Sequence, residues 1–255
     1  MADLKALIFD VDGTLAETER DGHRVAFNQT FGAAGLDWHW SIALYGQLLN
    51  VTGGKERIRY YLELEQPLLP AGVDITALIA DLHQAKTQRY RALVESGQVQ
   101  LRPGIRRLIA SARAAEIRLA IATTSHFDNA IALLETTLGP DSPSWFEVIA
   151  AGDVVPHKKP APDIYHYVLE KLQLNPAHCL VLEDTDHGLM SAHGAGLTTV
   201  ITVSNYTRQQ NFATAGQVLE HLGEPGQPTQ VLAGPALAKG YFDLATAERL
   251  LDSNQ

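Results

Sequence analysis

Five short runs dominated by Val, Ile, Leu and Ala constrain this fold more than any other feature. They are ALIFDV (6–11), RLAIATT (118–124), FEVIAAG (146–152), CLVLED (179–184) and TTVITVS (198–204). Continuous apolar runs of this length read as strands buried on both faces, the habit of parallel sheets. Helical patterns separate the later runs: Gly104–Ala115 opened by Pro103, Asp128–Thr137, Asp163–Leu172 and Gly188–Ala195. Strand alternating with helix predicts an α/β fold built on a doubly wound parallel sheet. TQVLAG (229–234) follows the turn-rich GEPGQPT and reads as an added edge strand, and YFDLATAERLL as a closing helix.

The alternation breaks once. From Ala16 to Gln98 no strand pattern occurs, and helices are expected over Thr18–Phe31, Trp40–Leu49, Lys55–Glu65 and Ile75–Glu95. The expected organisation is a discontinuous core, residues 1–15 and 99–255, with an all-helical cap, residues 16–98, inserted after the first strand. Open α/β sheets bind ligands beyond the carboxyl ends of their strands, where such an insert departs.

Composition narrows the function. The chain has 255 residues, 45% of them hydrophobic, enough for one large domain, or for a core plus a smaller module. A net charge of −9 argues against nucleic acid or an anionic membrane as partner. A phosphorylated small molecule stays open if Lys and Arg line the site. No apolar run approaches the ~20 residues of a membrane span, and no signal-like segment precedes the first strand. Cys179 is the single cysteine, so no internal disulfide framework exists. A reducing cytoplasm and a monomer are expected.

Four polar signals close successive apolar runs. In Asp10-Val11-Asp12-Gly13-Thr14, side-chain alternation lets Asp10 and Asp12 face the same side. One can serve as nucleophile and the other as general acid/base. Thr123-Thr124-Ser125 offers hydroxyls and amides to a phosphate oxygen, or simply caps the following helix through Ser125 or Asp128. His157-Lys158-Lys159-Pro160 puts lysines on a proline-stiffened loop, and Lys159 is the choice for neutralising a phosphoryl group, with His157 a surface residue. Glu183-Asp184 ends a buried strand, where acids are costly without a cation. Mg²⁺ favours oxygen ligands of this kind, and Asp10, the Asp12 main-chain carbonyl, Glu183 and Asp184 can supply them. The alternative for Asp184 is a cap on the next helix.

DVDGT, the TTS turn, KKPAPDIY and LEDTDHG together resemble the motifs of the haloacid dehalogenase superfamily, phosphatase branch, in order along the whole chain. The resemblance implies a Mg²⁺-dependent phosphatase with Asp10 as nucleophile, Asp12 as acid/base, Thr123, Thr124 and Lys159 as phosphate-holders, and Glu183 and Asp184 on the metal side. Dehalogenases of this fold lack the second aspartate, so Asp12 implies phosphoryl chemistry. Within the superfamily, DGTLAETE, GGKER and HLGEPG…VLAGP…FDL look like the CbbY group, whose members are associated with xylulose 1,5-bisphosphate, an inhibitor of rubisco. A sugar bisphosphate is the substrate this implies.

In the insert, Gly53-Gly54 precede a helix and open its amides to an anion. Lys55, in the first turn, opposes the helix dipole, and Lys55 and Arg59 share a face. An anionic ligand would offset that misplacement; a solvated basic face is the alternative. Glu17 and His23 flank the entry to the insert, where Glu17 could reach a sugar hydroxyl. Two rivals stand beside the phosphatase. A phosphosugar mutase of the β-phosphoglucomutase type shares every core motif, and a non-enzymatic sensor of a phosphorylated metabolite has no need of Asp12.

Overall fold

A computed structural model describes residues 3–51, 53–69 and 72–253. In chain order, strand β1 (Ala6–Phe9) is followed by a π-helical segment, Thr18–His23, that runs into α1 (Arg24–Ala33), then α2 (Ile42–Leu48), α3 (Gly54–Glu65) and α4 (Ile75–Glu95). The rest alternates: α5 (Ile105–Ala114), β2 (Arg118–Thr123), α6 (Phe127–Leu138), β3 (Phe146–Ala151), α7 (Asp163–Leu172), β4 (Cys179–Glu183), α8 (Asp186–Gly194), β5 (Thr198–Thr202), β6 (Gln217–Leu219), β7 (Val231–Ala233) and α9 (Leu244–Ser253). Two compact units result: Met1–Glu17 with Gln100–Gln255, and Thr18–Val99. No described helix is long and apolar enough to cross a membrane.

The first unit is the expected α/β fold. Its seven strands run in the order β3-β2-β1-β4-β5-β6-β7, all parallel except the β6–β7 pair. β1 is central because ALIF is buried on both faces and pairs on both edges. Ala6, Ile8, Ala120, Ala122, Cys179 and Val181 pack against Ile164, Tyr165 and Val168 of α7. Small alanines on β2 let that helix approach closely. The edge strand expected in TQVLAG is β7, shortened to Val231–Ala233 and antiparallel. β6, only three residues long, carries no period legible in the sequence.

Register places the chemistry. Phe9 lies level with Ile121 on one side and Leu182 on the other. The next residues along the three chains are Asp10, Ala122 and Glu183, and the Asp10 amide donates to Leu182 O at 3.0 Å. β1 and β4 therefore deliver Asp10 and Glu183 at one level, with the Ala122 main-chain carbonyl of β2 beside them.

Ala16 and Glu17, expected in the cap, belong to the α/β unit. Ala16 bridges both Asp12 and Leu101, and Glu17 pairs with Arg102 at 3.3 Å.

The helical unit closes around aromatic side chains. The Trp40 ring centroid lies 4.5 Å from Phe27 and 4.9 Å from Phe31, and Tyr61 packs 5.4 Å from Trp40. The expected helix from Trp40 starts instead at Ile42. Asn28 clamps the extended Trp40 backbone, accepting from its amide at 2.8 Å and donating to its carbonyl at 3.0 Å. Ser41 caps α2 by accepting from the Leu44 amide.

Candidate active site

At the carboxyl edge of the sheet, Lys159 joins the acids. Its Nζ donates to Asp10 Oδ1 at 2.7 Å, to Glu183 Oε1 at 2.5 Å and to the Ala122 carbonyl at 2.8 Å. Tyr165 Oη donates to the same Glu183 oxygen at 2.7 Å. Lys158, the neighbour of Lys159, points instead to Asp153 at 2.9 Å on the exposed side. His157 is exposed beside Asp163.

Asp10, Glu183 and Asp184 are buried, and each offers an oxygen within 4.8 Å of the others. Asp184 Oδ1 is buried without a hydrogen-bond partner. Asp184 does not cap α8; that role falls to Thr185, whose Oγ1 accepts from the Gly188 amide at 3.0 Å. Two glycines make room. Gly13 has φ +82°, and a Cβ there would lie 2.1 Å from Asp184 Oδ2; one at Gly188 would lie 2.1 Å from Glu183.

This donor set fits a divalent cation. Three buried carboxylates cluster, Lys159 contacts two of them, and a carboxylate oxygen of the third, Asp184, has no hydrogen-bond partner. Burial pushes the Asp10 carboxyl up to about 8; Lys159 opposes this, while Glu183 and Asp12 add to it. Burial and then Asp10 raise Asp184 well above the carboxylate range. The native acids thus bind more protons than the unfolded chain. Without a divalent cation, stability should fall as pH rises from the unfolded carboxylate value, 3.8, toward about 8. Added Mg²⁺ should raise the melting temperature more at pH 8 than at pH 5. A Mg²⁺ effect that is absent, or equal at both pH values, contradicts this reading.

Asp12 is half-buried, and its carboxylate lies outside the acid cluster. Its Oδ2 accepts from Ser125 Oγ. In the sequence Ser125 reads only as part of the TTS turn or as a cap. The cap on α6 is in fact His126, accepting from the Asp128 amide at 3.4 Å. Ser125 instead orients Asp12, and its amide donates to Thr123 Oγ1 at 3.1 Å. Thr123 is buried and Thr124 exposed. Removing a hydrogen bond to a charged group costs roughly 1.5–3 kcal/mol, so Ser125→Ala should lower kcat by about 10–100-fold. Steady-state kinetics showing unchanged kcat would deny Ser125 that role.

The remaining candidates are dispersed. The Glu17 carboxylate is engaged by Arg102. His23 stacks on Tyr90 at 3.8 Å, and its Nδ1 lies 2.8 Å from Lys86 Nζ. Burial and then Lys86 hold this imidazole well below its ordinary value, so it is neutral and accepts from Lys86. Gly53 has φ +99°, and a Cβ there would lie 2.3 Å from Glu56 Oε2; one at Gly54 would lie 2.5 Å from His83. Packing and backbone geometry account for both glycines, and the Glu56 carboxylate sits at the helix start where a free anion cradle was expected. Lys55 and Arg59 are exposed. Arg57, two residues from each and on the opposite side of the helix, is buried, donates to Tyr45 Oη at 2.8 Å and lies 3.7 Å from Glu19.

Comparison with known proteins decides the family. The model of haloacid dehalogenase-like hydrolases matches residues 4–196. The chain belongs to this family. It is 54% identical to the protein CbbY of Rhodobacter capsulatus over 213 residues, 84% of this chain and 91% of that one. It is similar to a crystal structure of a CbbY variant from Rhodobacter sphaeroides in complex with xylulose-(1,5)bisphosphate. There the TM-score is 0.75 and the identity 47%, covering 88% of this chain and 96% of that one. A putative β-phosphoglucomutase from Thermotoga maritima is also similar, with TM-score 0.64 and 26% identity over 79% of this chain and 87% of that one. In haloacid dehalogenase-like hydrolase terms, the acids at the ends of β1 and β4 and the lysine after β3 occupy the sheet edge where ligands of open α/β folds bind.

Proposed function

We propose that this hydrolase is a Mg²⁺-dependent phosphatase of sugar phosphates, acting on xylulose 1,5-bisphosphate through an aspartyl-phosphate at Asp10. The observation that carries the reading is the convergence of Asp10, Lys159, Glu183 and Asp184 at the carboxyl edge of the sheet. The likeness to CbbY supports the substrate class.

In this mechanism Asp10, Glu183 and Asp184 would hold Mg²⁺, together with the main-chain carbonyl of Asp12. The ion would neutralise the phosphoryl oxygens and allow the acids to stay ionised. Lys159 offsets the charge of Asp10 and stands ready to meet a transferring PO₃ group. Asp10 attacks phosphorus, and Asp12 protonates the leaving sugar oxygen. Asp12 then takes a proton from water, which attacks the aspartyl-phosphate and frees inorganic phosphate. Thr123 and Thr124 are assigned to the phosphoryl oxygens. In the helical unit, Lys55 and Arg59 are the side chains assigned to anion binding and His23 to a polar contact; close packing, not an anion, accounts for Gly53 and Gly54. Glu17 is assigned to a sugar hydroxyl. The catalyst is taken as a cytoplasmic monomer, in keeping with the buried free thiol of Cys179.

A phosphate-release screen over sugar mono- and bisphosphates, with Mg²⁺ and with chelator, tests this. Release from xylulose 1,5-bisphosphate above all monophosphates, abolished by chelator, is expected. Formation of an isomeric sugar phosphate without phosphate release would make the chain a mutase instead.

A further inference from the structure

Arg102 lies outside the acid cluster, yet it grips the turn that carries the two aspartates. It precedes Pro103 and Gly104, where the chain re-enters the α/β unit. The side chain is buried, and the main chain beside it is pinned by the Arg102 amide donating to Leu15 O at 2.8 Å. The guanidinium donors are directed as follows. Nη1 donates to the Gly13 carbonyl and, at 2.9 Å, to the Thr202 carbonyl. Nη2 donates to the carbonyls of Val203 at 2.6 Å and Glu220 at 2.7 Å. Nε faces Glu17 Oε1 at 3.3 Å. One planar fork thus ties the turn after β1 to the end of β5, to the residue after β6 and to the last residue before the helical unit. Lysine cannot reproduce this, since a single ammonium has no fork.

Gly13 is the critical partner. Its α-carbon packs so closely on Asp184 that no side chain fits, and its carbonyl is held from Arg102. The turn between Asp12 and Thr14 is therefore fixed from both sides. A displacement of the order of 1 Å in such a turn would misalign both carboxylates with a phosphoryl group, which costs about 100-fold in rate.

We propose that Arg102 is a positioning residue for the hydrolytic reaction: through the Gly13 carbonyl it sets the spacing of Asp10 and Asp12 relative to Asp184. The inference rests on the reading of Asp10 and Asp12 as nucleophile and acid/base. Its test is steady-state phosphate release by R102K and R102Q, normalised to folded protein by circular dichroism well below each melting temperature. Amide hydrogen exchange at Gly13–Leu15 is measured alongside. A fall in kcat of about 10-fold or more, KM within about 2-fold of wild type and faster exchange confined to that turn are expected. Unchanged kcat in either folded variant, or a KM rise with kcat preserved, overturns the proposal. So does failure of both variants to fold, which would assign Arg102 to stability alone. Asp10→Asn in the otherwise wild-type chain separates the two ideas. If it stays active, the site reading fails; if it is inactive while R102K is normal, only Arg102 loses its role.

Discussion

Lys159→Met is expected to remove catalysis and to weaken the fold in the same stroke. Lys159 Nζ is the cation in contact with both Asp10 and Glu183, and all three side chains are nearly inaccessible. The neighbouring acids raise its affinity for a proton despite burial, so the ammonium is charged throughout the working pH range. Breaking a buried ion pair from one side leaves uncompensated charge and costs about 3–5 kcal/mol. Part of that cost is avoided because Asp10 and Asp184 can take up protons, and Mg²⁺ should recover a further part. The variant should therefore melt below wild type, by more at pH 8 than at pH 5. Thermal melts at the two pH values, with and without Mg²⁺, check this. A melting temperature equal to wild type at pH 8 in chelator would mean that Lys159 does not compensate the acids. Phosphate release should fall by at least about 1,000-fold, since a group aimed at developing charge is lost along with the ordering of the nucleophile.

Asp10→Asn is expected to have the larger effect on rate and the opposite effect on stability. The amide keeps the shape of the carboxylate, but it cannot form an acyl-phosphate. Removing a nucleophile costs on the order of 10⁴–10⁶ in kcat, and residual activity should be indistinguishable from contamination. Folding should not suffer. Burial already pushes the Asp10 carboxyl toward its neutral form, so a neutral isostere relieves repulsion from Glu183 and Asp12. The loss of the Lys159 partner offsets some of that relief. At pH 8 without Mg²⁺ the variant should melt at or above the wild-type temperature. A clear drop would show that the Asp10–Lys159 attraction outweighs burial, reversing the electrostatic account of the site.

Much of the fold was legible because burial on both faces leaves an unmistakable pattern. ALIF could only be a central strand, and the α4 and α7 limits coincide with the periodic stretches Ile75–Glu95 and Asp163–Leu172. The acids were legible for a different reason: a carboxylate at the end of an apolar run stands out against its desolvation cost. What escaped depended on contacts distant in sequence. Ser125 reads as a cap until the turn carrying Asp12 is brought beside it. Nothing in the local sequence marks Arg102; its role depends on the ends of β5 and β6 and the Gly13 carbonyl converging on its donors. Nothing in the sequence of α7 signals that the Tyr165 hydroxyl anchors Glu183, 18 positions away. Trp40 looks like the start of a helix, and only the clamp from Asn28 and the surrounding rings explain why it lies before one. In the helical unit, Gly53-Gly54 suggest an open anion cradle, whereas close approach of Glu56 and His83 explains the missing side chains.

The most direct measurement is acid-quenched mass spectrometry of the peptide carrying Asp10, taken during turnover of xylulose 1,5-bisphosphate. With Mg²⁺ present, a fraction of Asp10 should carry one phosphoryl group, absent in chelator, and Asp12 should be phosphorylated in no condition. Steady hydrolysis with Asp10 never modified, or with phosphate trapped on another side chain, would contradict the account at its root.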